Sequence, residues 1–176
     1  MFRLSSVLQA LPSLLFCAML SADAHAGPAG PFAPDWTLAS SAGKTVEFHR
    51  DARGAPAVLL FWASWCPHCG AALPYMEAVY QEFAPRGVRF YAMNIWEDGD
   101  AVAYFAKHGY HLPLFLAADL VAEDYGVEGT PAIVVVDRAQ RIRDLKLDGA
   151  APDEIAASLR LYLNAELNQN RAVTTR

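Results

Sequence analysis

Cys66-Pro67-His68-Cys69 places two thiols two residues apart, just after the apolar run Ala57 to Trp62 and just before a stretch with helical periodicity. Two cysteines at that spacing, on a strand-to-helix junction, are suited to thiol–disulfide exchange. Cys66 would stand at the helix N-terminus, where unpaired backbone N–H groups and the helix dipole stabilise a thiolate. Cys69, one turn further on, is placed to resolve a mixed disulfide formed on Cys66. Pro67 fits the first helical turn, where a missing N–H costs little. His68 adds a titratable group between the sulfurs whose cationic form favours the Cys66 thiolate.

Other chemistries fit the pair less well. A structural zinc site needs four ligands, commonly from two such pairs. The chain has three cysteines, and the third, Cys17, falls in a segment expected to be removed. His49, His108 and His111 show no finger-like spacing to the pair. A copper-binding or copper-delivery module built on the Cys66/Cys69 dithiol is the alternative function, because soft thiolates favour Cu(I). Met76 falls on a core stripe and Met93 in a strand, so neither is an obvious extra ligand. A peroxidase of the peroxiredoxin kind would want a lone peroxidatic cysteine in a different loop. The expected chemistry needs neither metal nor cofactor.

Residues 1–26 read as a secretory signal peptide. Arg3 supplies the positive n-region, Val7 to Leu20 is mostly apolar, and Ala24-His25-Ala26 is an A-x-A cleavage site. The apolar stretch is short for a membrane span, which takes about 20 residues. Phe16 before Cys17 argues against a lipoprotein. Cleavage would leave one domain's length with two close cysteines, and a bridge so short staples nothing. Localisation is therefore expected to be periplasmic or secreted, with no stable membrane insertion after cleavage. The net charge of −5 argues against nucleic acid as a partner.

Residues 27–34, rich in Pro and Gly, are expected to be a flexible leader. Trp36 to Leu38 and Thr45 to Phe48 suggest a hairpin around Gly43. Ala57 to Trp62 is a strand buried on both faces. A helix over Pro67 to Phe83 carries Leu73, Met76, Tyr80 and Phe83 on one face, with Pro74 inside it as a kink. Val88 to Ile95 is the next strand, and Asp100 to His108 a helix with Val102 and Phe105 inward, ended by Gly109. Leu114 to Leu116 is a short strand and Asp119 to Tyr125 a short helix. Ala132 to Val136 and Arg141 to Leu147 pair across a turn. A last helix starts near Pro152 with Ile155, Leu159 and Leu163 inward, and residues 166–176 form a frayed tail. Strands alternating with helices give an α/β domain with a mixed sheet.

This order of elements with this motif resembles the thioredoxin fold over residues 35–165. Phe61-Trp62-Ala63-Ser64-Trp65-Cys66 looks like the family's approach to its active site, and Pro74 falls where the family kinks its first helix. Tyr125-Gly126-Val127-Glu128-Gly129-Thr130-Pro131 is similar to the segment carrying a cis-proline beside the disulfide. The hairpin and an added strand–helix segment resemble the periplasmic TlpA/ResA type, which reduces disulfides during cytochrome c maturation.

The resemblance implies protein thiol or disulfide substrates and a membrane redox partner for regeneration. It makes Cys66 the nucleophile and Cys69 the resolver, and sets Thr130 and Pro131 against the substrate backbone. Trp65 and Pro67 flank the sulfurs on the substrate side. The segment Ala92-Met93-Asn94-Ile95-Trp96-Glu97 maps an active-site glutamate onto Glu97, expected to handle the Cys69 proton. The thioredoxin family's buried aspartate is replaced by Leu60. Pro67-His68 is the dipeptide of the oxidising DsbA family, so motif and scaffold point to opposite redox poise.

Overall fold

The structure, a computed structural model, describes residues 30–145 and 150–174. The expected signal peptide over residues 1–26 and the last two residues of the expected strand from Arg141 lie outside these. Strand β3 (Ala57–Trp62) is buried at all six positions and forms the middle of a five-stranded sheet. Its parallel neighbour β4 (Arg89–Asn94) pairs next with β5 (Leu114–Phe115). On the other side, antiparallel β6 (Ala132–Val136) pairs with β7 (Ile142–Arg143). The sheet order is therefore β5-β4-β3-β6-β7. A separate hairpin joins β1 (Thr37–Ala39) to β2 (Thr45–Glu47).

Alternation along β3 divides the core. Val58, Leu60 and Trp62 face one layer, and Ala57, Leu59 and Phe61 the other. The first layer receives α2 (Pro67–Phe83), α3 (Ala101–His108) and α5 (Pro152–Thr174), through Leu73, Met76, Phe83, Phe105, Leu159 and Leu163. The second receives the hairpin, α1 (Phe48–Asp51) and α4 (Asp119–Asp124). Each large side chain buried this way contributes about 1.5–3 kcal/mol. This is the thioredoxin fold, with α3, β5 and α4 lying between β4 and β6.

Four local expectations change. Phe48 does not continue β2; it opens α1 and stacks on Trp36 with ring centroids 5.3 Å apart, because burying that ring outweighs one more edge pair. Val102 faces outward. Ala101 and Phe105, one turn apart, take the inward positions, and Val102 is turned about 100° from Ala101. Residues 30–34 of the expected leader are docked. Gly30 N–H donates to the Ile142 carbonyl and Ile142 N–H to that of Pro31, while the Tyr125 hydroxyl donates to the Pro34 carbonyl at 2.7 Å. The expected tail continues as helix to Thr174. Leu167 packs on the first core layer, and Glu166 accepts from the Tyr162 hydroxyl at 3.0 Å, which anchors the added turns.

Pro74 lies inside α2 without ending it, leaving the Gly70 carbonyl without its helical donor. No helix of the described residues is long and apolar enough to cross a membrane.

Candidate active site

The C-terminal ends of β3, β4 and β5 and the N-terminal end of β6 converge on one edge of the sheet, and the cysteines lie there. Cys66 is the N-cap of α2, with Pro67 at the first helical position. Its Sγ accepts the Cys69 backbone N–H at 3.1 Å, so a helix-terminal donor points at the sulfur that must carry negative charge. Cys66 and Cys69 are joined as a disulfide, with Cα atoms 5.2 Å apart. Both cysteines are buried, Cys66 at 4% exposure and Cys69 at 1%, and it is Cys66 that holds the N-cap position. His68 and Pro67 are exposed in the first turn of α2, and the His68 imidazole has no hydrogen bond among the described residues.

The Thr130–Pro131 peptide bond is cis, and the Thr130 carbonyl oxygen lies 3.5 Å from the Cys66 Sγ. Thr130 and Pro131 are thus brought beside Cys66. Beside them opens a cavity of about 890 Å³ lined by His68, Ala72, Pro131, Ile133 and Ile155 among others. Leu60 is buried on the face of the sheet that packs against α2 and the cysteines, so the position the wider family fills with an acid is apolar here.

Glu97 belongs to the site's scaffold. Its carboxylate accepts four hydrogen bonds: Ser64 N–H at 3.0 Å, Ser64 hydroxyl at 2.5 Å, Asn94 Nδ2 at 2.6 Å and Gly99 N–H at 2.9 Å. Desolvation pushes its pKa up, but these donors outweigh that and hold it below the ordinary carboxylate range. A proton acceptor for a thiol needs the opposite shift, and none of these bonds goes to Cys69. The carboxylate instead ties the loop before Cys66 to the end of β4.

Sequence reasoning missed the partners of that tie. Asn94 is the polar residue at the end of an apolar strand, 2% exposed, a pattern that signals a buried hydrogen-bonding role. Trp65 lies against Trp96, donating its indole N–H to the Trp96 carbonyl at 2.6 Å, while Asp119 Oδ1 accepts the Trp96 N–H at 2.9 Å. Trp96 has φ 49°, a left-handed conformation costing a residue with a side chain about 1–2 kcal/mol. The two hydrogen bonds hold it there.

The methionines set aside as copper ligands are core residues. Met76 is buried in α2 and Met93 on the other face of the sheet. His49, His108 and His111 bond to Ala33, Tyr104 and Glu77. Among the described residues no group of three or more His, Cys, Asp or Glu is arranged to hold a metal ion.

A buried redox cysteine pair at a strand-to-helix junction, faced by a cis-proline loop in this fold, defines a thiol–disulfide oxidoreductase. Residues 29–145 match the model of the AhpC/TSA family, and the chain belongs to that family. It is 32% identical over 120 residues to thiol-disulfide oxidoreductase ResA of Geobacillus thermodenitrificans, an alignment covering 66% of this chain and 67% of that one. ResA of Bacillus thuringiensis subsp. konkukian is 30% identical over 116 residues, covering 64% and 66%. The chain thus spans about two thirds of the length of these curated relatives. Among solved structures, a candidate thiol:disulfide interchange protein DsbE from Chlorobium tepidum superposes with TM-score 0.60 at 28% identity, covering 66% of this chain and 82% of that one.

Proposed function

We propose that this oxidoreductase is exported and exchanges its Cys66–Cys69 pair with protein disulfides outside the cytoplasm, as a reductant in cytochrome c maturation or in general disulfide exchange. The observation that carries the reading is the Cys66 sulfur at the N-cap of α2, accepting the Cys69 N–H beside the Thr130 carbonyl. In the reducing direction the Cys66 thiolate attacks one sulfur of the substrate disulfide and the other sulfur leaves as a thiolate. Cys69, losing its proton to water, attacks the Cys66 sulfur, forms the Cys66–Cys69 bond and releases the second substrate thiolate. Two electrons pass from the dithiol to the substrate, whose thiolates take up protons. A membrane electron donor would then restore the dithiol; running in reverse, a membrane oxidase would restore the disulfide.

Thr130 and Pro131 present the substrate backbone, and Trp65 and Pro67 cover the surface beside the sulfurs. Glu97 holds the Ser64–Trp65 loop in place. His68, exposed beside Cys66, adds positive charge when protonated and stabilises the thiolate. The test is equilibration of the pair with glutathione. The pair is expected to exchange reversibly and give a defined reduction potential; no exchange would overturn the reading. His68→Ala removes stabilisation of the reduced, ionised form, so the disulfide becomes relatively more stable. Its potential is expected to fall by roughly 30 mV for each unit by which the thiolate pKa rises. An unchanged pKa and potential would make His68 a spacer.

A further inference from the structure

Next to the cysteine loop lies a second hollow, of about 460 Å³, distinct from the cavity under His68. Its walls are Trp96, Val102 and Leu116, all substantially exposed, and its rim carries the carboxylates of Glu97, Asp100 and Asp119. Glu97 is saturated by its four donors. Asp100 and Asp119 each use only Oδ1 among the described hydrogen bonds, on the Ala103 and Trp96 N–H groups, so each retains an oxygen for another partner. No Lys, Arg or His is among the lining residues. An aromatic face with apolar walls and unspent carboxylates complements a side chain with an apolar stem and a cationic head.

The sheet order says how such a side chain would arrive. Across the active edge the loops run from Thr130 before β6, to Cys66 after β3, to Trp96 after β4, to Leu116 after β5. A segment whose cysteine meets Cys66 and whose backbone lies along Thr130 continues over the ends of β4 and β5. Neighbouring strands lie about 4.8 Å apart, so the hollow is about 5–10 Å beyond Cys66. That is two or three residues of extended chain at about 3.3 Å each.

We propose that this hollow is a specificity subsite for a lysine or arginine lying two or three residues from the reacting cysteine of a protein substrate. Trp96 supplies the aromatic face, and Asp119 and Asp100 the charge. The proposal rests on the exchange reading above and names the partner chemistry that reading leaves open.

The experiment uses the reduced protein and cysteine peptides carried as mixed disulfides with thionitrobenzoate. Cys66 displaces the coloured thiolate, Cys69 then releases the peptide, and the protein dithiol is oxidised as the mixed disulfide is reduced. Peptides carry Lys or Glu at the second and third positions on both sides of the cysteine. The lysine peptide is expected to react about tenfold faster at low salt, a ratio that contracts as salt rises. Asp119→Asn keeps an acceptor for the Trp96 N–H while removing the charge, and should shrink the ratio several-fold. Val102→Lys plants a cation in the hollow on an exposed helical position and should push the ratio below one. The readout is a ratio on one variant, so partial misfolding scales both rates and leaves it unchanged. Equal rates in the parent protein, or a ratio untouched by Val102→Lys, would overturn the subsite. Failure to react with any peptide would overturn the exchange reading itself and the subsite with it.

Discussion

Cys66→Ser is expected to bring protein disulfide exchange down to background, a loss of at least about 10³ in rate. The sulfur removed is the one at the N-cap of α2, where the Cys69 N–H at 3.1 Å and the helix terminus favour negative charge. A serine hydroxyl in the same place is not ionised near neutral pH and does not attack disulfides. Cys69 lacks that placement, since its backbone N–H is spent on the Cys66 sulfur and it stands one turn inside the helix. Turbidity from insulin reduction, driven by dithiothreitol, reads the effect directly. Exchange persisting near the parent rate in this variant would mean that the sulfur roles are reversed.

Glu97→Gln is expected to lower stability by about 1–3 kcal/mol at neutral pH. The ionised carboxylate accepts from Ser64 twice, Asn94 and Gly99. A glutamine offers one acceptor oxygen and turns an NH₂ group toward donors, leaving buried Asn94 short of a partner. The pH dependence has a definite sign. Glu97 has a folded pKa below its ordinary value, so its contribution is fully present above the unfolded value of about 4.3. It is lost as pH falls through the lower, folded value, where the unfolded state binds the proton more readily. Urea melts of parent and variant should therefore differ most above about pH 5 and converge in acid. A constant gap from neutral pH down to pH 3 would contradict the ionised tie.

The parts of the fold readable from the sequence were those with a strong local pattern. The six-residue apolar run became β3 with the same bounds, because a strand covered on both faces has no polar positions to alternate. Pro67 and the 3.6-residue stripe placed α2 from Pro67 to Phe83. The cysteine pair and the segment ending in Thr130-Pro131 carried enough of the motif to bring the two halves of the site together. What was not legible depends on contacts distant in sequence. The hydrogen-bonded tie at Glu97 was not legible because two of its four bonds come from Ser64, 33 residues away. Trp96 gave no sign of a left-handed backbone, since aromatic residues rarely adopt one and only the Asp119 and Trp65 hydrogen bonds hold it there. The leader looked disordered by composition, yet Gly30, Pro31 and Ala33 hydrogen-bond along β7 and the turn before it. After Leu163 the sequence loses its apolar content, yet Leu167 packs on the core and Glu166 pairs with Arg138 across the fold.

In the proposed exchange Cys66 is the sulfur that bonds to substrate and Cys69 the one that releases it. Cys69→Ser removes the release step and leaves the attack intact. Incubated with a disulfide-linked peptide, quenched in acid and digested, this variant should carry the peptide on Cys66 in near-stoichiometric yield by mass spectrometry. Under the same conditions the parent should show only the Cys66–Cys69 disulfide. A Cys69→Ser protein that stays unmodified, or a parent that accumulates peptide on Cys69, would contradict the account.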